Sequence, residues 1–399
     1  MQQTILIFGG GDNQLTLIEA ARDIGIRSVV IDPNPEAPGR KICDHFEVVE
    51  AADYNLTKNI ALKYKAGGIV TSQMENPLKM MARLAKEFEF VFPSPEVIER
   101  CRNKYLMKQA FLMNNIPCAK GILIVEKTHI TPEIIKDFKF PLIIKPLDSY
   151  SSRGVYRVTS FKDLLHFESE SRNNSSDGSV IIEEYIDGPE YSVEALTYRG
   201  KTKIVQFTEK IITPFPHTVE IGHLQPANLN EEQKAKIEEI VTNAITSLGI
   251  DNSASHTELK MRDNNPVIIE IGARLGGDYI SSYLTLISTG VNMDKGAINL
   301  AFGLEPDIEQ KSSHFSYIKY LDLPPGRVLS QVNEWIMIKD IPYVVHANLN
   351  VSVGQIIPPL TDSSKRPGFI IVSGNSRNEV IQRAIKAEAF LKNKLQFKN

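Results

Sequence analysis

Apolar positions along this chain switch between a period of two and a period near 3.6, and the switches mark its elements. The stretch "TILIFGGG", residues 4–11, is a short β-rich apolar run that stops at glycines. "QLTLIEAARDIG" follows with helical spacing, and "IRSVVIDPNP" returns to strand, so the three predict a βαβ unit. Strand signals recur at "HFEVVEA" and "GGIVTSQ", and the helical "ENPLKMMARLAKEF" comes after the second. Residues 1 to about 95 therefore read as one alternating α/β domain.

Three prolines surround "FPSPEVIERCRNKYLMKQAFLMNNIPCAKG", whose spacing predicts one long amphipathic helix with Ser94 as cap and Pro95 at its first position. A domain boundary near 95–105 fits. Strand-like segments then appear at "FPLIIKP", "DSYSSRGVYRV" and "SVIIEEYIDGPEYSVEAL", with "SRNNSSDGS" read as an exposed loop. "NEEQKAKIEEIVTNAITSLGI" predicts a helix closed by Gly249, leading into strands at "SASHTELKM" and "PVIIEIGA" across the turn "RDNNP". Beyond about residue 305 the pattern is mostly β, with "VVHANLNVSVGQIIP" and "FIIVSGNS" before a last charged helix. No repeat of fixed period appears.

Composition narrows the class. With 399 residues, 42% of them apolar, the chain can bury two or three domain cores. Its net charge of −3 comes from mixed signs without a basic block, which gives no reason to expect nucleic acid or a membrane surface as partner. The start "MQQTILIFGG" lacks a basic leader, and no apolar run approaches the roughly 18 residues of a spanning helix, so a soluble cytoplasmic protein is expected. Cys43, Cys101 and Cys118 have neither metal-ligand spacing nor an even count, and read as reduced thiols.

Several positions carry chemistry that a core does not require. Gly9, Gly10 and Gly11 at a strand end would let backbone N–H groups approach an anion, although Gln14 breaks the dinucleotide fingerprint and argues against a nicotinamide enzyme. Glu75 follows a strand end, where open α/β sheets place ligands. Lys145 closes the run "PLIIK" and precedes a polar turn, 148–154, with Ser149, Ser151, Ser152 and Gly154, which together suit a phosphate. In "IIEEYIDGPEYSVE", strand-edge backbone at Glu183, Glu184 and Ile186 can hold an adenine ring while Glu190 accepts from ribose hydroxyls; a solvated acidic turn is the plainer alternative. Glu258 and Glu270 lie on strands joined by a hairpin turn, so two hard carboxylates can meet around Mg²⁺, and Arg274 can neutralise a transferring phosphoryl group.

The order and spacing of these pieces resembles the ATP-grasp superfamily of carboxylate–amine ligases, in its amino-acid ligase and carbamoyl-phosphate-synthase-like branch, from Gly9 to Lys392. The resemblance implies a fold of mixed α/β and α+β class, with a Rossmann-like pre-ATP-grasp domain over 1–103, a two-subdomain ATP-grasp fold over 104–304 that binds ATP between its subdomains, and a β-rich region over 305–399. It implies that Lys104 and Lys145 bind phosphate, that the turn 148–154 closes over the triphosphate, that Glu183, Glu184 and Ile186 form the adenine hinge, and that Glu190 holds ribose. By the same likeness Glu258 and Glu270 hold Mg²⁺ or Mn²⁺, and Arg274 is the arginine that follows them. Two departures stand out: Gly272 replaces the asparagine of the relatives' Glu-x-Asn, leaving metal coordination thinner or completed by water, and serines replace a glycine run in the closing loop.

The implied reaction is phosphorylation of a carboxylate by ATP, attack of an amine on the acyl phosphate, and release of ADP and phosphate. "TEKIITPFPHTVEIGHLQPANL" and "ARLGGD" are similar to ligases that join amino acids, which places Glu220 and His223 near the acceptor, Lys210 near phosphate, and Gly276 and Gly277, with Gly10, Gly11 and Glu75, among candidate substrate contacts. A lone histidine such as His223 or His256 is more often structural. A purine-pathway ribotide ligase, carboxylase or formyltransferase is the alternative within the superfamily, and a non-catalytic ATP-binding regulator the alternative outside it. Expected partners are small carboxylates and amines, without nucleic acid or membrane, and a homodimer is left open.

Overall fold

The computed structural model describes residues 2–50, 52–149, 153–214, 219–332 and 335–398. The chain gathers into two compact units, each assembled from separate stretches: Met1–Cys118, Ser192–Phe207 and Leu229–Lys311 form the first, and Ala119–Tyr191, Thr208–Asn228 and Ser312–Asn399 the second. The chain passes from one to the other inside the strands Glu190–Tyr198 and Lys201–Ile212. Among the described residues no helix is long and apolar enough to cross a membrane. The architecture has the mixed α/β and α+β character that the resemblance implies.

The first unit begins with a parallel sheet in the order His45–Val48, Arg27–Asp32, Thr4–Phe8, Gly68–Thr71. Ile5, Leu6 and Ile7 are fully buried, the signature of a strand covered on both faces, which explains the unbroken apolar run. The expected long helix is instead two, Pro95–Arg102 and Lys104–Met113. Asn103 breaks it by taking an extended conformation, and its side-chain oxygen accepts from the N–H groups of Tyr105 and Leu106. An asparagine that satisfies two orphan donors makes a better helix start than a helix interior. Lys104 thereby becomes the first residue of a helix rather than a mid-helix position.

Asn230 and Gln233 form a reciprocal capping box on the helix Glu231–Leu248, and Gly249 ends it in the left-handed region, φ 77°. The strands Ser253–Arg262 and Asn265–Gly272 then pair antiparallel across Asp263 and Asn264, both at positive φ, as a two-residue hairpin turn demands. Helix Met293–Ala301 contributes Met293, Ala297 and Ile298 to a core shared with Ile5, Leu17 and Val70.

The second unit contains an antiparallel sheet in the order Gly121–Ile124, Val180–Glu184, Leu142–Pro146, Tyr156–Val158, backed by helix Phe161–Asn173. This helix runs into the segment expected as loop, because Ser171 is buried on Gly154 O and Arg172 bonds the carbonyls of Val125, Thr128 and Gly178. The strands Glu220–Gln225, Phe315–Tyr320, Gly368–Gly374 and Val344–Leu349 pair in that order, and helix Arg377–Lys392 packs on them through Val380, Ala384 and Leu391. Regular strand in "VVHANLNVSVGQIIP" stops at Leu349.

One buried group works against the first unit. Asp294 is 2% exposed and has no cationic partner among the described residues; burial pushes its pKa up to about 6, against the weaker pull of the Thr16 and Ser72 hydroxyls. The folded chain thus holds a proton that the unfolded chain releases near 3.8. The proton-linked contribution is most favourable below about pH 4, declines as pH rises through the interval to about 6, and stays unfavourable above it. Asp294→Asn is expected to raise the unfolding free energy at pH 7 by on the order of 2–3 kcal/mol, with the gain vanishing toward pH 4. Urea unfolding at both pH values checks this, and a gain independent of pH would contradict it.

Candidate active site

Two clusters of charged side chains, one in each unit, collect nearly all the residues singled out by sequence. In the second unit, Lys145 closes the strand Leu142–Pro146, and the neighbouring strand Val180–Glu184 brings Glu183 to it. The Lys145 ammonium and a Glu183 oxygen stand 2.7 Å apart, each side chain about 6% exposed. Glu184 accepts the Lys120 N–H through its side chain at 3.0 Å and returns its own N–H to Lys120 O. The carboxylates at 183 and 184 thus have partners within the unit, and what these positions would offer an adenine is backbone. Ile186, buried, supplies apolar surface beside them.

Lys210 is buried between two acids, 2.6 Å from Glu190 and 3.4 Å from Glu220. Glu220 also accepts from the Ser363 hydroxyl at 2.7 Å. His223, 1% exposed, sits directly across the strand pair from Lys210. Ser149 lies at one edge of the predicted closing turn and Gly154 at the other, while Ser151 and Ser152 lie outside the described residues. A side chain at Gly154 would meet Asn174 and Pro146 at 2.9 Å, and its φ is 72°, so this end of the turn requires glycine.

In the first unit, the hairpin register sets Glu258 opposite Glu270. Lys104, placed by the Asn103 cap, reaches Glu270 at 3.0 Å with its own side chain 9% exposed. Glu270 and Arg274, four residues apart in sequence, take separate partners: the Arg274 Nε donates to Glu75 at 2.6 Å and its Nη1 to Leu275 O at 2.9 Å. Burial works to lower the Arg274 pKa, but Glu75, Glu270 and Glu258 outweigh it and raise it, so the guanidinium stays charged. Glu75 is therefore an ionic partner inside the site rather than a solvated surface acid.

Behind Glu258 stands a network that sequence reading did not assemble. Glu194, fully buried, accepts from Ser281 Oγ at 2.6 Å and from Gly276 N at 3.2 Å, and its other oxygen meets His256 Nδ1 at 2.5 Å. The opposite nitrogen of that ring lies 3.5 Å from Glu258. Burial alone would depress the His256 pKa, but the Glu194 carboxylate takes it up to about 9; Glu194 in turn, despite burial, is held below the usual range by the imidazolium. A signal was present: a glutamate inside the run Val193, Ala195, Leu196, all buried, must find a partner to be tolerated there.

The glycine turn at the start of the chain is engaged by the protein itself. Gly10 N donates to the Asp32 carboxylate at 2.7 Å and Gly10 O accepts from Gly39 N, while Gly11 O accepts from Gln14 N. Gln14, buried, reaches Ser72 O at 2.6 Å. The N–H of Gly10 does meet an anion, but the anion is the protein's own Asp32. Gly276 is committed to Glu194 and Ser281, and a Cβ on it would lie 2.6 Å from both Glu194 and His256; Gly277 has open space around it.

Chemically, Glu258 and Glu270 offer two hard oxygen ligands that suit a divalent cation completed by phosphate and water. Among the described residues no three His, Cys, Asp or Glu side chains form a group that could hold a metal ion. Lys104 and Arg274 beside them, and Lys145 in the other cluster, are cations of the kind that neutralise phosphate oxygens.

Comparison with known proteins agrees with this chemistry. Residues 1–101 match the ribonucleotide synthetase preATP-grasp domain, 138–282 the ATP-grasp domain, and 319–395 the L-amino acid ligase C-terminal domain 2. The formate-dependent phosphoribosylglycinamide formyltransferase of Sulfurisphaera tokodaii is 24% identical over 97% of this chain and 96% of its own. In fold, the chain is similar to the L-amino acid ligase of Bacillus licheniformis, with a TM-score of 0.86, 22% identity, and coverage of 100% of this chain and 98% of that one. It is also similar to the biotin carboxylase domain dimer of Hydrogenobacter thermophilus 2-oxoglutarate carboxylase in complex with MgADP, with a TM-score of 0.78, 19% identity, and coverage of 100% and 91%.

The Lys145–Glu183 contact makes one consequence measurable without any substrate. Lys145→Ala strands a buried carboxylate and is expected to lower the unfolding free energy by about 3–5 kcal/mol. Lys145→Met combined with Glu183→Gln should recover most of that loss in urea unfolding. A single variant as stable as the wild type would contradict the buried pair.

Proposed function

The chain belongs to the ATP-grasp superfamily and is an ATP-dependent ligase forming C–N bonds, and from that premise we propose that it joins amino acids or small amino-acid-like substrates through an acyl phosphate. The observation that carries this reading is the facing pair Glu258 and Glu270, with Lys104 on one acid and Arg274 beside both. The reaction needs such an arrangement: a substrate carboxylate and a γ-phosphate are both anions, and cations in a water-poor site must cancel their repulsion before oxygen can attack phosphorus.

On this reading Lys145 binds nucleotide phosphate, kept in place by Glu183, and Lys104 binds phosphate from the start of its helix. The backbone at Glu183 and Glu184, with Ile186, receives adenine, Glu190 takes ribose, and Ser149, Ser151, Ser152 and Gly154 belong to the closing turn. Glu258 and Glu270 hold Mg²⁺, with Mn²⁺ the alternative occupant; when bound, the ion neutralises phosphate oxygens as a Lewis acid. Arg274 steadies the phosphoryl group in flight. Attack of the amine on the acyl phosphate then forms the C–N bond, and phosphate leaves.

For the acceptor, Glu220 and His223 are the residues we assign, with Lys210 near phosphate and Gly276 and Gly277 bounding the substrate. The match of residues 319–395 to an L-amino acid ligase domain supports this branch. A ribotide ligase, carboxylase or formyltransferase is the second reading, favoured by the near full-length likeness to a phosphoribosylglycinamide formyltransferase; Gly10, Gly11 and Glu75 would then face the ribotide. We read the chain as three sequence domains, 1–103, 104–304 and 305–399, working in the cytoplasm.

Release of ADP and phosphate from Mg-ATP across single and paired amino acids, with glycinamide ribotide plus formate and aminoimidazole ribotide plus bicarbonate as separate arms, distinguishes the readings. The amino-acid branch predicts release that needs an amino-acid pair, and mass spectrometry should find the conjugate. Release only with a ribotide selects the second reading, and tight ATP binding with silence in every arm favours a regulator. Glu270→Gln is expected to lower turnover by on the order of 10²–10³ with the fold intact by circular dichroism. Undiminished ADP release in that variant would refute the assignment.

A further inference from the structure

Gly272 is a glycine that its backbone does not require. Its φ lies outside the left-handed region, and it occupies a regular strand, directly opposite His256. It shares a strand face with Glu270, two residues before it, as His256 shares one with Glu258. Four adjoining positions on that face thus carry an imidazole, two carboxylates and no side chain at all.

The vacated space is filled from another part of the unit. A Cβ built on Gly272 would stand 3.1 Å from Glu75 Oε1 and 3.5 Å from both Cγ and Cζ of Arg274. The same Glu75 oxygen accepts from Arg274 Nε at 2.6 Å. The segment that delivers Glu75 is itself pinned: Ser72 bridges to Leu275 in parallel, and Gln73 accepts from Tyr279 N at 3.2 Å. An incidental ion pair would need neither a glycine facing it nor two successive tethers on the segment just ahead of it.

We propose that Glu75 is a positioning residue for Arg274, and that glycine at 272 is the opening that admits it. With Nε on Glu75 and one Nη1 hydrogen on Leu275 O, the guanidinium is held at two of its three nitrogens, and its other N–H groups remain for the phosphoryl group beside Glu258 and Glu270. The inference rests on the ligase reading of Arg274. It follows that a side chain at 272 would crowd Glu75 Oε1, which would have to give by a few tenths of an ångström while it holds the arginine.

A cation aimed at a terminal phosphate favours triphosphate over diphosphate, so the ratio of two affinities reads its placement without any acceptor substrate. Calorimetry with Mg²⁺ would compare ADP with the non-hydrolysable β,γ-imido analogue of ATP. Glu75→Ala is expected to shrink the preference for triphosphate by about fivefold to tenfold, the worth of one oriented hydrogen bond, with ADP affinity little changed. Glu75→Gln, which keeps an acceptor oxygen at the same reach, should retain most of the preference. Gly272→Asn should reproduce Glu75→Ala and add little in its background, since both act through one contact. Gly272→Ala is the milder version if the asparagine variant folds poorly. Unchanged discrimination in Glu75→Ala, or equal losses for both nucleotides, would overturn the proposal while Arg274→Gln still abolishes the preference. Full discrimination in Arg274→Gln would instead overturn the ligase reading of that arginine, and this proposal with it.

Discussion

Two carboxylates set opposite one another on adjacent strands repel, and the buried cations of the first unit's candidate site answer that repulsion. Lys104 meets one acid, His256 approaches the other, and Arg274 lies near both. Each of those cations is in turn held by something fixed: Lys104 by a capped helix start, His256 by Glu194, Arg274 by Glu75. The acids therefore sit in a field that tolerates them. On the proposed reading, a metal neutralising the two acids would leave that field free for phosphate.

The second unit solves a different problem, that of burying lysine. Lys145 and Lys210 have almost no exposed surface, and each reaches a carboxylate on a neighbouring strand. A buried ammonium without such partners would lose its charge or unfold its surroundings. The pairs gain rigidity from the strands that carry them, so each ammonium occupies a set position in place of the wide sweep of an exposed lysine. On the proposed reading, in which these lysines meet phosphate, that restraint serves better than a strong net attraction.

Much of this could be read from the chain. Gly249 at a helix end and Asp263-Asn264 between two apolar runs are local signals, and they set the helix stop and the hairpin turn, whereas the register shift between Leu259 and Glu258 that brings Glu258 opposite Glu270 has no such signal. The failures were also local. Asn103 looks like one more polar residue on an amphipathic helix, and only the competition between its side chain and the helix backbone reveals a break. Long-range pairing was the part least available: nothing near Glu75 in sequence names Arg274, 199 residues away, and nothing near Glu194 names His256 or Ser281. The bare fact of a glutamate among buried apolar residues indicated that a partner existed, without saying which.

Glu194 has a bearing on how such proteins could be remade. One mooring of the segment after Leu275 is a carboxylate that grips Gly276 and Ser281 on one oxygen and His256 on the other. Anyone exchanging that segment between ligases to alter what they join would be moving half of a lock. The graft would have to carry a glycine and a hydroxyl at the matching places, or bring along the strand that supplies the acid. Modular swapping at this point is therefore limited less by the shape of the new loop than by an anchor 82 residues upstream, and recombination libraries that keep residues 194, 256, 276 and 281 from one parent should yield more folded members than those that cut between them.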